Sequence, residues 1–364
     1  MTEQQRHTCS KCALRTPLLL LFLVLTSSPV LYGQDVPALL AKVKDITGSV
    51  NGQVGITIRH IESGQGIAIN GDQLFPTASV YKVPIMVEVF RQVTLGNISL
   101  SDRVTLQPER LYWSTILSHF DAGLNPTIHD LVFWMITQSE NGATDVLLEK
   151  VGAENVTATM RRLGLEHINV NRSVKYMMCD YMGIYDSESR SLTGDEFKKM
   201  WDRRADAEYS RLWDDKNAPI PESVRKFDRE PKDVASPNDV TNLMEMIFKK
   251  KVINEQMSQT MLDILLQTTF WPNLIPAQLP PKTPVARKAG TLPTTLNETG
   301  IIYLPDGAGH VVVTVMTNDL RGNVDDDARL IAQVARAAYD YFLSANAHSE
   351  GSKRCEGTGC DSAR

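Results

Sequence analysis

The chain has 364 residues, of which 42% are apolar, and its 38 Lys and Arg against 43 Asp and Glu give a formal net charge of −5 at pH 7. This composition is typical of a soluble globular protein long enough to bury a large core. The mild acidity does not favour nucleic acid as a partner. The sequence has no glycine-rich phosphate loop, and its seven histidines lack paired metal-ligand spacing, so we expect no cofactor and no metal.

Residues 1–33 have the pattern of a secretory signal peptide. Arg6, Lys11 and Arg15 precede an apolar run over residues 18–25, and small or turn-forming residues follow as far as Gly33. The apolar run is too short for a convincing membrane span. We expect cleavage after Gly33 and export to the periplasm or beyond, with an uncleaved amino-terminal anchor as the alternative.

The rest of the chain predicts strands near both ends and helices between them. In chain order the predicted elements are a helix over 36–46, strands over 55–60 and 66–69, a helical block from 79 to about 267, strands within 285–316, and a helix over 325–343. This order predicts an α/β (α+β) fold with one antiparallel sheet flanked by helices and an all-helical lobe. We expect one catalytic domain over residues 34–344 and a polar, disordered tail over residues 345–364.

The helical block is predicted to begin at the string Ser79-Val80-Tyr81-Lys82. Residues three apart share a helix face, so Lys82 can reach the Ser79 hydroxyl. The first backbone N–H groups of a helix have no partner, so the Ser79 amide is free to polarise a carbonyl that its own hydroxyl attacks. Ser223 also stands three residues before a lysine, but in a polar stretch without an apolar helix, and we attribute that second match to chance.

Two further strings follow in the same order, Ser139-Glu140-Asn141 and Lys288-Ala289-Gly290. The second lies in a predicted edge strand beside a cleft. With the first string they supply a hydroxyl nucleophile, an amine that can take its proton, a second hydroxyl that can relay the proton, and an ammonium that can hold an anion. This is the equipment for acyl transfer through serine.

With these three strings the chain resembles the class A β-lactamase-related serine hydrolases of the penicillin-recognising group, over roughly residues 36–343. The resemblance implies that Ser79 is the acylated nucleophile and that Lys82 is its base or proton shuttle. It also implies that Ser139 relays a proton to the departing nitrogen.

Substrate-binding roles are implied by the same resemblance. Asn141 would orient the substrate amide and Lys82, and Lys288 would attract the substrate carboxylate. Gly290 and Thr291 would complete the binding strand, with the backbone amides of Ser79 and Thr291 as the oxyanion hole. Removing one such donor typically lowers the rate about a hundredfold or more.

The strings depart from the family pattern at two positions. Glu140 replaces the usual Asp and keeps the charge, so its structural role can survive. Ala289 replaces the usual Thr or Ser and removes a hydroxyl that would bind the substrate carboxylate, a charged hydrogen bond worth roughly 1.5 to 3 kcal/mol. Thr291 or Ser139 could compensate in part.

A third departure concerns the loop that carries a glutamate in the family, which activates the deacylating water. Residues 165–172 resemble the start of that loop, but Val174 stands where the glutamate belongs. Glu166 precedes Arg172 and is on the wrong side of it. Without a base at this step, the enzyme would acylate and then stall.

An unusual stretch over residues 173–235 follows, rich in charged and aromatic residues. Long ordered loops are often functional, so this insertion could form a lid over the cleft. Asp180, Asp186 and Glu188 are candidates for a substitute base, against the simpler interpretation that each is a solvated surface carboxylate.

The sequence favours hydrolysis of β-lactams through an acyl-enzyme, with slow deacylation. One alternative is a D,D-peptidase or amidase that acts on cell-wall peptides, because the same acylation chemistry serves it. The other is a secreted penicillin-binding pseudoenzyme that keeps the cleft but barely turns over. We expect a monomer whose partner is a small β-lactam or a cell-wall peptide.

Overall fold

The central sheet is built from the two ends of the chain, as the order of predicted elements requires. The computed structural model describes residues 36–111, 115–185, 191–192, 195–197, 199–200, 211–212, 215, 218–321 and 323–357. Its strands are β1 (Gln53–His60), β2 (Gly66–Ile69), β3 (Phe75–Pro76), β4 (Val234–Ala235), β5 (Val285–Leu292), β6 (Thr295–Tyr303) and β7 (His310–Asn318). Five of them form one antiparallel sheet in the order β2-β1-β7-β6-β5, so the predicted edge position of β5 is confirmed.

Helices cover both faces of this sheet. The α-helices of the described residues are α1 (Pro37–Thr47), α2 (Lys82–Thr94), α3 (Ile128–Thr137), α4 (Asn141–Val151), α5 (Ala153–Arg162), α6 (Val174–Tyr181), α7 (Glu222–Arg229), α8 (Pro237–Phe248), α9 (Glu255–Leu266) and α10 (Val324–Gly357). Helices α1 and α10 bury one apolar cluster against the sheet, and α8 packs on the opposite face, next to the helical lobe. Because both faces are covered, β6 and β7 are buried along nearly their whole length.

The predicted helix at Ser79 begins differently in the structure. A 3₁₀ turn over Ala78–Tyr81 carries the serine, and the α-helix α2 starts only at Lys82. Pro84 therefore lies in the first turn of α2. Proline is tolerated there, because a first-turn N–H has no helical partner to lose.

Two other elements differ in length from their predictions. Strand β6 begins at Thr295, ahead of the predicted start at Gly300. The last helix continues past Leu343 to Gly357, into the segment for which the sequence predicts a disordered tail. No proline interrupts that segment, and residues 358–364 lie outside the described part of the chain. Within that part, no helix is both long and apolar enough to cross a membrane. The predicted signal peptide also lies outside it.

The short strands β3 and β4 bring the end of the insertion beside the 3₁₀ turn over Ala78–Tyr81. We call this turn the nucleophile turn, after the role predicted for Ser79. Phe75 pairs with Ala235 and Pro76 with Val234. Thr77 adds two hydrogen bonds to the Asp233 carbonyl oxygen, from its amide at 2.9 Å and its hydroxyl at 2.6 Å. The segment just before Ser79 is therefore fixed to the point where the insertion rejoins the fold.

Candidate active site

The Lys82 side chain is the centre of a buried polar cluster. Its Nζ donates to the Ser139 carbonyl oxygen at 2.7 Å, to Ser139 Oγ at 3.2 Å and to Asn141 Oδ1 at 2.8 Å. Lys82 is fully buried at the start of α2, whereas Ser79, one turn earlier, is partly exposed. The structure thus places the Lys82 amine in contact with the second string.

Ser139 lies between two amines. Lys288 Nζ, from β5, donates to Ser139 Oγ at 3.0 Å, on a hydroxyl that Lys82 also contacts. Ser139 has a positive φ of 55°, which is uncommon for a residue with a side chain. The helical lobe and the sheet therefore meet at this hydroxyl, which can pass a proton between the two amines and a bound substrate.

Burial controls the ionisation of both lysines. It lowers the pKa of Lys82 to about 7, while the carboxylates of Glu140 and Asp145 oppose the fall. The pKa of Lys288 is held well below its usual range by burial, then by the positive charges of Lys82 and Arg287. An amine with a pKa near 7 can accept a proton at neutral pH, which is what activation of a serine requires.

Gly290 brings β5 against the nucleophile turn. A Cβ at this position would lie 2.7 Å from the Ser79 amide nitrogen and 2.8 Å from the Thr77 carbonyl oxygen. Only glycine allows this approach without displacement of the backbone. Asn297 on β6 supports the same turn by donating from Nδ2 to the carbonyl oxygens of Pro76 and Thr77.

The Glu140 side chain joins the start of α4 to residues 115 and 116. Its carboxylate accepts hydrogen bonds from the amides of Ile116 and Gly142 at 2.6 and 3.0 Å, and from the Thr115 hydroxyl at 3.1 Å. A buried carboxylate with several N–H donors is well satisfied. The longer Glu in place of Asp therefore makes the structural contacts of this position.

Ala289 and Thr291 lie two residues apart on β5, on the same face of the strand. Ala289 is buried in the apolar cluster beneath α1 and α10. Among the described residues, the buried Thr291 Oγ1 has no hydrogen-bond partner. Both side chains lie on the strand face opposite to that of Lys288 and Gly290.

Val174 offers no proton acceptor at the position where a glutamate is expected. Its side chain is buried in the apolar cluster of the helical lobe, at the first residue of α6. Glu166, before Arg172 in sequence, is exposed and pairs with Arg161 at 3.3 Å. Neither observation assigns the base: Val174 has no titratable group, and Glu166 is engaged by Arg161.

Of the three candidates for a substitute base, Asp180 lies among the described residues. Asp186 and Glu188 lie outside the described residues. Asp180 is buried in α6, and its carboxylate accepts from Arg172 Nη1 at 2.8 Å. It is therefore not a solvated surface carboxylate.

Arg172 and Asp233 form an ion pair that joins the two ends of the insertion. Arg172 Nε donates to Asp233 Oδ2 at 2.6 Å, and Asp233 Oδ1 accepts from the amides of Asn171 and Arg172 at 2.8 and 3.1 Å. Glu230 and Asp180 contact the same guanidinium. Burial raises the pKa of Asp233, and the charge of Arg172 opposes this. The insertion thus leaves and rejoins the fold through one buried ion pair.

A second buried ion pair supports the cleft and was missed in the sequence. Arg287 Nη1 lies 2.5 Å from Glu298 Oε1, and its guanidinium also donates to the carbonyl oxygens of Phe270 and Trp271. Gln138, beside Ser139, reaches the same loop at Thr269. Glu298 lies before Gly300, the predicted start of its strand, so no sequence signal paired it with Arg287. Charged residues are rarely buried unless they are paired.

Residues 38–342 match the beta-lactamase enzyme family. The chain belongs to this family. It is similar to beta-lactamase VEB-1 of Pseudomonas aeruginosa, with 22% identity over 341 residues, 90% of this chain and 98% of that protein. The structure of a beta-lactamase from Sphaerobacter thermophilus has 25% identity and a TM-score of 0.64, covering 84% of this chain and 97% of that one. The structure of PBP-A has 21% identity and a TM-score of 0.66, covering 86% and 98%.

These matches confirm the resemblance seen in the three strings. The protein is a β-lactamase-related serine hydrolase, with the antiparallel sheet and helical lobe of that fold. The matched span, residues 38–342, contains all three strings.

Proposed function

We propose that this protein is a class A-type β-lactamase that hydrolyses β-lactam antibiotics through an acyl-enzyme on Ser79 and releases the product slowly. The observation that carries the proposal is the contact of Ser139 Oγ with both Lys82 and Lys288. It supplies a base, a relay and an anion site around one partly exposed serine.

Acylation would proceed with the neutral amine of Lys82 as base. Ser79 Oγ gives its proton to Lys82 Nζ and forms a bond to the lactam carbonyl carbon. The C–N bond of the ring then breaks, and Ser139 passes a proton from Lys82 to the departing nitrogen. Lys288 would hold the substrate carboxylate, and the amides of Ser79 and Thr291 would stabilise the oxyanion.

For deacylation, no general base has been identified among the described residues. A positioned general base is typically worth on the order of a hundred- to ten-thousandfold in rate. Val174 cannot act as one, and Asp180 is bound to Arg172. We therefore propose that the acyl-enzyme accumulates, unless Asp186 or Glu188 in the insertion reaches the ester through one water.

A cell-wall D,D-peptidase or amidase is the second candidate, and the apolar side chain of Val174 favours it. Such an enzyme transfers its acyl group to another nucleophile, so it does not need a carboxylate that activates water. The same Ser79, Lys82 and Ser139 would form its acyl-enzyme.

We propose that the protein acts outside the cytoplasm, with residues 1–33 removed as a signal peptide. The charged and apolar pattern of those residues supports this. We also propose that it acts as a monomer. Both β-lactams and cell-wall peptides are found in the compartment to which it would be exported.

Intact-mass measurement after incubation with benzylpenicillin tests the proposal. We expect one adduct in the wild-type protein, none in Ser79→Ala, and an unchanged adduct in Ser223→Ala, which removes the serine of the second, chance match on α7. An adduct that persists in Ser79→Ala would contradict it. Release of hydrolysed penicillin distinguishes a β-lactamase from a D,D-peptidase, which would instead cleave a D-alanyl-D-alanine peptide.

A further inference from the structure

Two residues beside the proposed site are bound to one loop, which lies between α9 and β5. Gln138 directly precedes Ser139, and its Nε2 donates to Thr269 Oγ1 at 3.1 Å. Arg287 directly precedes Lys288, and its guanidinium donates to two carbonyl oxygens of the same loop, at 2.8 and 3.1 Å. The loop thus joins the helical lobe to β5 next to the hydrogen bond of 3.0 Å between Lys288 Nζ and Ser139 Oγ.

Arg287 holds this loop, residues 268–271, at three points, and we call these residues the bracing loop. Arg287 Nη2 donates to the Phe270 carbonyl oxygen, and Nη1 donates to that of Trp271. The Arg287 carbonyl oxygen accepts from Thr268 Oγ1 at 3.0 Å. Because the two guanidinium contacts are to backbone oxygens, Arg287 fixes the course of the loop itself.

Glu298 fixes the orientation of the Arg287 guanidinium. Glu298 Oε1 lies 2.5 Å from Arg287 Nη1, and Oε2 accepts from the Ile275 amide at 2.6 Å. Both side chains are buried. A guanidinium presents several N–H donors in a rigid plane, so one arginine can bind the carboxylate and both carbonyl oxygens at the same time. A lysine, with a single nitrogen, cannot keep this geometry.

Two residues that the bracing loop connects have an uncommon backbone conformation. The φ angle is 55° at Ser139 and 54° at Trp271. Residues with a side chain rarely adopt a positive φ, and such a conformation persists where the surrounding contacts hold it. Arg287 supplies such a contact at Trp271, and the bond from Gln138 to the loop supplies one beside Ser139.

We propose that Arg287 is a positioning residue of the acylation site, which holds Ser139 in register with Lys288 through the bracing loop. It does not contact the reacting atoms. To relay a proton, the Ser139 hydroxyl must stay within hydrogen-bond distance of both amines. Misplacement of a reacting group by about 1 Å can cost on the order of a hundredfold in rate, and the bracing loop limits such misplacement.

Arg287→Lys tests this role, and Arg59→Lys is its matched control. The first variant keeps a positive charge beside Glu298, and so keeps the charge that helps to lower the pKa of Lys288, but it loses the donors to the bracing loop. Arg59, on β1, donates to two side chains of α8. A role that depended on charge alone would leave Arg287→Lys unaffected.

The kinetic measurement rests on the proposed function. In Arg287→Lys we expect the rate constant of acylation by benzylpenicillin to fall at least about tenfold. The apparent dissociation constant before acylation should change by less than about twofold, because Lys288 still holds the substrate carboxylate. Both values should stay at the wild-type level in Arg59→Lys. Thr269→Val, which removes the exposed acceptor of Gln138, should lower the rate constant about threefold.

Amide hydrogen exchange tests the bracing loop without any reaction. The amides of Gln138 and Glu140 both donate to the Trp134 carbonyl oxygen at 3.1 Å. These two amides should exchange at least about tenfold faster in Arg287→Lys, and faster than in the wild type in Thr269→Val. Their exchange should be unchanged in the control variant.

Wild-type exchange and acylation rates in both Arg287→Lys and Thr269→Val would overturn the inference, as would equal losses in Arg287→Lys and Arg59→Lys. If Arg287→Lys does not fold, Thr269→Val decides the question alone. If the wild-type protein forms no adduct, the proposed function fails, yet the exchange rates still decide whether Arg287 holds the segment of Ser139.

Discussion

At the scale of single residues, the site depends on contacts between groups far apart in sequence. Ser139 Oγ accepts hydrogen bonds from Lys82 Nζ on α2 and from Lys288 Nζ on β5, and both lysines are buried. Burying two amines together is unfavourable unless at least one is neutral, which the lowered pKa values of both lysines reflect. A cluster with a neutral amine can accept a proton at neutral pH, as the proposed acylation requires.

The first prediction at this scale is the pH dependence of acylation. With a Lys82 pKa of about 7, the amine is protonated below that pH and free above it. The acylation rate should therefore rise about tenfold per unit up to pH 7 and then level off. Stopped-flow acylation between pH 5 and 9 measures this. A rate that is flat through pH 7 would show that Lys82 is not the base.

The second prediction concerns Gly290. An added Cβ would lie 2.7 Å from the Ser79 amide nitrogen, so Gly290→Ala must displace either β5 or the nucleophile turn. Misplacement of a reacting group by about 1 Å can cost on the order of a hundredfold, and we expect a loss of acylation of that size. Gly48→Ala, at the end of α1 with an ordinary φ of −64°, is the control and should acylate normally. Equal acylation rates in the two variants would refute the close approach.

At the scale of elements, the Arg172–Asp233 ion pair holds the insertion to the fold. Its partners are 7% and 1% exposed in their side chains, so little water can replace a lost contact. Removing one partner of a buried pair costs about 3–5 kcal/mol, because the other charge is left uncompensated. Thr77 binds the Asp233 carbonyl, so loosening of this pair would also reach the nucleophile turn.

We therefore expect Arg172→Ala to loosen residues 173–232 before the rest of the protein. Limited trypsin digestion should cut this segment at least tenfold faster than in the wild type. Arg225→Ala is the control, because Arg225 pairs with Glu222 in the same insertion through an exposed contact at 3.6 Å. Cleavage that is equally fast in both variants would show that the buried pair does not restrain the insertion.

At the scale of the whole molecule, hydrophobic pattern and strand order predict much of the fold from the sequence. The bounds of β2 and the edge position of β5 agree with the structure, because period-2 patterns and turn residues are local signals. The 3₁₀ turn at Ser79 and the early start of β6 differ, because they involve contacts between residues far apart in sequence: Asn297 donates to the Pro76 carbonyl oxygen, and Thr77 donates to that of Asp233. The Arg287–Glu298 pair had no local signal that identified the two residues as partners.

For the function, too, local sequence signals predict some features, and contacts between distant residues decide the others. The three strings predict which residues meet at the cleft, since they lie on elements that the fold brings together. They do not predict a replacement for the missing glutamate, because such a base would come from an insertion whose contacts are not encoded in a short motif. We therefore predict that this protein forms the acyl-enzyme normally and hydrolyses it slowly.

Stopped-flow hydrolysis of a chromogenic cephalosporin by the wild-type protein tests this central claim most directly. We predict a burst close to one equivalent of product per protein, as Ser79 is acylated, followed by a steady rate at least about a hundredfold slower. If Asp186 or Glu188 supplies the base, its amide variant should keep the burst and abolish the steady phase. Rapid steady turnover without a burst, unchanged in both amide variants, would contradict the account.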